Sequence, residues 1–180
     1  MSLTPSIFRI SPLIRITLVS LYLALTIPLP FLAQVTQTSI STSIFWGAII
    51  LGFLVLWGAL SEKVIVDEDN IKVTYPQWFP SFFRQRWELS WTEIKDLKLR
   101  TTGQGGLVYY FISDKTEQAY LLPMRVAGFA RLVNIVTEKT GIDTTDIRPL
   151  SQPWMYFILL GLTLLLLFVD SWTILTALNQ

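Results

Sequence analysis

The sequence contains neither cysteine nor histidine. Their absence excludes disulfides, thiol nucleophiles, Ser-His-Asp triads, zinc fingers, HExxH metalloproteases and haem held by a His or Cys axial ligand. It also removes thiol usage as a guide to redox compartment. Charge is scarce: charged residues make up 15% of the 180 positions, where soluble domains carry about 25%. Fourteen basic against thirteen acidic residues leave a net charge of +1, too weak a field to hold a nucleic acid, and no nucleic-acid partner is expected. Only Ser-Lys or carboxylate mechanisms survive these exclusions, and no carboxylate pair stands apart from the turn acids. Binding rather than reaction is therefore expected, with no catalytic residue, cofactor or metal.

What the chain has in abundance is apolar side chain, 52% of its residues. Three runs approach the roughly 20 residues needed to cross a hydrocarbon core: about 16–32, 44–60 and 154–172. None holds Lys or Arg, and the only acid is Asp170 beside Trp172, where an interfacial carboxylate costs little. Trp154 and Tyr156 at one end of the third run and Trp172 at the other fit aromatic belts. Arg9, Arg15, Lys63 and Arg148 flank the runs on one side, whereas the linker Gln34–Thr42 and the tail after Trp172 carry no basic residue. The expected topology puts the N-terminus and the segment between the second and third spans in the cytoplasm. A cleaved signal peptide is the rival reading of the first run, but Phe31 and Ala33 do not make a small-x-small site. Pro28 and Pro30 read instead as helix-ending prolines. Ser20 with Ala24, and Ala48 with Gly52, are small residues four apart, a spacing that lets helix backbones approach in lipid and that also occurs in any span.

Between the second and third spans the composition changes to that of a soluble domain. Residues 61–150 hold twelve of the fourteen basic and twelve of the thirteen acidic residues. Alternation predicts strands over 64–66, 71–75, 84–91, 94–101, 107–113 and 118–122. A helix follows, with Pro123 marking its start, Val126, Phe129, Val133 and Val136 at helical spacing, and Gly141 placed to end it in the left-handed conformation. The expected fold is an α+β membrane protein: an N-terminal arm and transmembrane hairpin in 1–60, an antiparallel sheet or barrel with a C-terminal helix in 61–150, and a third span with a short tail in 151–180.

Four features invite a functional reading. Asp67-Glu68-Asp69 lacks the Gly and distal Glu of an EF-hand and reads as a solvated turn. Gly103-Gln104-Gly105-Gly106 lacks the GK[ST] ending of a phosphate loop and reads as a hairpin loop. Arg125, Arg131 and Lys139 read as a solvated helix face. The most informative stretch is Trp78, Phe79, Phe82 and Phe83 around Pro80, followed by Arg84 and Arg86. Such a cluster marks core, lipid interface or partner, and the expectation is that part of it meets a membrane or a membrane protein, with the arginines on headgroups or acids.

The run Trp87–Leu99, WELSWTEIKDLKL, set between hairpins and followed by a helix, resembles the bacterial pleckstrin-homology-like domains of small membrane proteins, where Trp91 and Ile94 match a recurrent Trp and Ile. That resemblance implies a PH-like barrel, and the acidic first loop departs from the basic one that grips phosphoinositides. Two N-terminal spans, the loop Gln77–Leu89 and LLPMR at Leu121–Arg125 are also similar to the two-span photosystem I assembly factor of cyanobacteria and plastids, from which this chain departs by its third span. The resemblances imply a non-enzymatic scaffold that binds subunits of a membrane complex and membrane lipid, in a plasma or thylakoid membrane. A lipid-sensing or transporter-accessory protein is the alternative.

Overall fold

The computed structural model describes residues 5–36, 40–80, 85–101, 107–115, 118–147 and 153–178. The chain divides into a sheet unit, Met1–Ser11 with Ser61–Ser151, and a helical unit, Pro12–Leu60 with Gln152–Gln180. The class is α+β with two antiparallel sheets.

The sheet unit begins before the first span. Strand β1 (Ser6–Arg9) pairs antiparallel with β2 (Lys63–Val66), which continues to β3 (Asn70–Thr74) and β4 (Trp87–Ser90). The residues that the sequence reading groups with the membrane hairpin thus supply an edge strand. Alternation aligns cross-strand rows on one face: Phe8, Val64, Val73 and Trp87 form one row, and Val66, Ile71 and Leu89 the next. All but Trp87 are buried, because a period of two sends every second side chain into the core.

A short 3-10 turn, Trp91–Glu93, carries the chain to the second sheet, β5 (Ile94–Thr101), β6 (Leu107–Ser113) and β7 (Ala119–Leu121). Trp91 is buried and its indole N–H donates to the Asp67 carbonyl at 3.2 Å, pinning the corner to the β2–β3 turn. The predicted strand over 84–91 is shorter than expected. Trp91 lies in the 3-10 turn, and Arg86, before β4, gives its guanidinium to the Pro76 carbonyl.

Helix α4 (Phe129–Thr140) starts six residues after Pro123. The intervening chain is drawn out against the N-terminal arm: Ile10 bridges Val126, Ser11 N–H donates to the Arg125 carbonyl, and Ala127 N–H donates to the Arg9 carbonyl. Gly128, at φ +77°, then turns the chain into the helix, which buries Phe129, Leu132, Val133 and Val136. Gly141, at φ +71°, ends it as its position predicts.

The helical unit contains α1 (Pro12–Thr26), α2 (Pro28–Val35), α3 (Thr42–Ala59) and α5 (Pro153–Leu178). Pro28 ends α1 but does not end the run. It occupies the first turn of α2, where a missing N–H is no loss, and Pro12–Val35 remains one apolar run of 24 residues. With Thr42–Ala59 and Pro153–Thr176 it makes three helices long and apolar enough to cross a membrane. Their outer side chains, such as Ile50, Leu51, Leu165 and Phe168, are more than half exposed, a surface that suits hydrocarbon and not water.

Candidate functional site

The aromatic loop divides its rings between core and solvent. Phe79 is buried at 3% exposure, its ring 5.9 Å from that of Tyr75, and its N–H donates to the Pro76 carbonyl. Trp78 meets the Phe79 ring edge-on, yet 55% of it stays exposed. Arg86 is exposed and bonded to Pro76. Phe82, Phe83 and Arg84 lie outside the described residues, as does the loop Gly103–Gly106.

Beside this loop, the edges of β4 and β7 bound a cleft of about 390 Å³ lined by Glu62, Val73, Tyr75, Trp87, Tyr110 and Tyr120, among others. The Trp87 and Tyr120 rings stand 5.5 Å apart at 49° and form one corner. Behind Trp87, Phe111 closes the core, with ring centroids 6.1 Å apart. At the other end the Tyr75 hydroxyl donates to the Glu62 carboxylate. The Tyr120 hydroxyl donates to the Gln118 side-chain carbonyl at 3.0 Å. Among the described lining residues Glu62 alone carries a charge.

Sequence reasoning missed this site. Its residues come from five segments, each of which reads locally as strand or turn, and only register brings them together.

A second concavity, about 650 Å³, lies along α4 and is lined by Val133, Asn134, Thr137, Asp143 and Thr144, among others. The Thr145 backbone N–H and hydroxyl, at 3.0 and 2.7 Å, hold the Asp143 carboxyl below its usual range. The acidic turn is spent on its own closure: Asp67 Oδ1 accepts from the N–H groups of Asp69 and Asn70. Among the described residues no group of three or more carboxylates could hold a metal ion.

In the helical unit the small residues part company. Ala24 is buried at 2% exposure and Ser20 is partly buried, while Ala48 is exposed on α3. Gly52 meets a neighbouring helix. The Tyr22 hydroxyl lies over it and donates to the Ile49 carbonyl at 2.7 Å, and a Cβ on Gly52 would stand 2.5 Å from that oxygen. The pairing of α1 with α3 thus includes a Tyr on Gly contact, and α1 packs more extensively on α5. At the base of the hairpin Arg15 donates to the Leu60 carbonyl at 3.0 Å, with its guanidinium 5.6 Å from the Trp57 ring centroid. A cation there caps the negative end of α3.

Gly52→Ala is expected to push Tyr22 off Ile49 and to weaken the α1–α3 contact by about 1 kcal/mol. The same change in a Tyr22→Phe background should cost clearly less, because the clashing oxygen is gone. Unfolding of the four proteins in detergent measures this, and equal costs in both backgrounds would remove the contact from the account.

Over 161 residues the chain is 56% identical to the uncharacterized protein slr0269 of the cyanobacterium Synechocystis sp., an alignment covering 89% of this chain and 81% of that one. The chain belongs to that family. No family model matches it. No solved structure matches it either.

Proposed function

We propose that this protein is a non-enzymatic integral membrane scaffold or assembly factor. Its sheet unit is a pleckstrin-homology-like domain on the cytoplasmic side, and it binds subunits of a larger membrane complex. The observation that carries the reading is the pairing of β1 with β2 across the whole hairpin, Ser6 with Val66 through Arg9 with Lys63. A domain built from both sides of residues 12–60 supports a hairpin whose helices leave and return on one face of a bilayer, with the third span as a further tether. The domain is held at the surface by three chain passages, the posture of a platform rather than a freely diffusing enzyme. Arg9 and Lys63 stand opposite each other in the sheet, and in the sequence Arg9 and Arg15 precede the apolar core of the first span while Lys63 follows the second, a distribution that favours a cytoplasmic domain. The pleckstrin-homology resemblance implies a hairpin, a strand over Trp87–Leu99, a second hairpin and a C-terminal helix, an order with which β2–β3, β4 with β5, β6–β7 and α4 are compatible.

The cyanobacterial relative is compatible with a thylakoid setting, and photosystem assembly is the client process we propose. Exposed Trp78 is the anchor for the client, since a large amphipathic ring left in solvent beside a structured core fits an interface hot spot. Tagged full-length protein, purified in a gentle detergent from its own membranes, should bring down photosystem subunits detectable by mass spectrometry. Trp78→Ser should leave stability within about 0.5 kcal/mol and reduce that recovery severalfold. An isolated chain with no co-purifying subunits would end the scaffold reading, and recovery of transport proteins would replace it with the accessory one.

A further inference from the structure

We infer that the cleft between β4 and β7 is a binding site for an alkylated ammonium group, such as a quaternary trimethylammonium. Its dimensions and chemistry converge on that class of ligand. At about 390 Å³ it lies at the lower end of the range for small-molecule sites, large enough for a trimethylammonium and the few atoms attached to it. Trp87 and Tyr120, tilted at 49° with centroids 5.5 Å apart, present two adjoining ring surfaces, and the π-face of an aromatic ring attracts a cation. Tyr75 and Tyr110 extend the aromatic lining.

The charge balance points the same way. Glu62 is the one charged residue among the described lining residues, and it has no ion pair there. Lys72 pairs with Glu88 at 2.9 Å and Arg86 binds the Pro76 carbonyl, while Lys63, the chain neighbour of Glu62, is exposed and is not among the described lining residues. A phosphate or carboxylate would meet a like charge in the cleft. Among the described lining residues a metal ion would find a single carboxylate, too few hard ligands to hold it. A neutral apolar ligand would strip water from Glu62 without compensation. A diffuse organic cation is the class that gains from both the rings and the acid. Tyr75, whose hydroxyl donates to Glu62, fixes the carboxylate in the wall of the cleft that Trp87 and Tyr120 also line.

The chemistry is common to a free solute and to a lipid headgroup, and two arms of one experiment separate them. In the first, full-length protein in a neutral maltoside detergent is titrated with choline by calorimetry. The expected result is saturable binding with Kd below about 1 mM. The neutral isostere carrying a tert-butyl group in place of the trimethylammonium should bind at least about tenfold more weakly. Glu62→Gln, which keeps an acceptor for the Tyr75 hydroxyl, should weaken choline about tenfold without changing the thermal midpoint. Tyr120→Leu should abolish binding while the protein stays folded. In the second arm the protein is placed in nanodiscs of phosphatidylcholine or of phosphatidylglycerol. Weaker choline binding in the phosphatidylcholine discs identifies a headgroup as the source, and equal binding identifies a soluble solute. Equal affinity for choline and its neutral isostere, unchanged affinity in Glu62→Gln, or no saturation at roughly ten times the expected Kd would each overturn the assignment.

Discussion

Replacing Phe8 with Ala should destabilise the sheet unit by about 3–5 kcal/mol, although Phe8 lies only four residues before the first membrane-length helix. The side chain is 6% exposed and sits opposite Val64, which is fully buried. Its ring also backs onto Gly128, where an added Cβ would meet it at 3.7 Å, so the cavity left by the substitution opens between the edge strand and the start of α4. The backbone bonds from Ser11 to Arg125 and from Ala127 to Arg9 depend on the same strand staying in place. Against a total stability of about 5–15 kcal/mol for a domain, that loss is severe. The thermal midpoint of the sheet unit, followed by near-ultraviolet circular dichroism in detergent, should fall by more than about 10 °C, while the far-ultraviolet helical signal of the spans persists. A midpoint unmoved by Phe8→Ala would show that β1 contributes nothing to the domain.

Phe111→Ala should have an effect of the same size for a different reason. Phe111 is fully buried at the centre of β6 and touches Trp87 edge-to-face across the gap between the two sheets. Truncating it removes core volume, at about 3–5 kcal/mol, and with it an aromatic pair contributing about 0.5–1.5 kcal/mol beyond area. The two sheets then lose the ring that separates cleft from core, and Trp87 is free to fall inward. Two readouts are expected to move together: a lower unfolding midpoint, and increased binding of a hydrophobic dye by the native protein. Phe111→Leu, which keeps most of the volume, should recover more than half of the midpoint. Failure of Leu to recover it would mean that packing volume is not the origin of the loss.

Much of the sheet unit was legible in the sequence because its strands report themselves locally. Val64 and Val66, then Ile71 and Val73, alternate around a four-residue acidic turn, and both the pairing Val66 with Ile71 and the turn closed by Asp67 follow from that spacing. Gly141 was legible for a similar reason, since a glycine after the last buried turn of a helix has one obvious use. Strand β1 was not legible. Four residues are too few to show a period, they run directly into an apolar helix, and their partner lies more than fifty positions along the chain. The late start of α4 was hidden by the same fact, because Val126 is extended only when Ile10 lies beside it. The aromatic loop was half legible: the cluster was visible, but which ring goes inward depends on Tyr75 being there to receive Phe79. The cleft could not be read at all, because Glu62, Trp87 and Tyr120 meet only after two separate sheets have formed.

The β1–β2 pairing also imposes an order on how the molecule is made. Ser6–Arg9 is synthesised first and then waits for the whole of residues 12–60 to be threaded before its partner strand exists. If the proposed topology holds, a chain in which only one of those helices inserts has the two strands on opposite faces of the bilayer, where no amount of time lets them meet. Phe8 and Ile10 then stay in water and β2 keeps an open edge, the features that mark a chain for degradation or aggregation. On the proposed topology, a complete sheet is therefore a record that residues 12–60 crossed the bilayer twice.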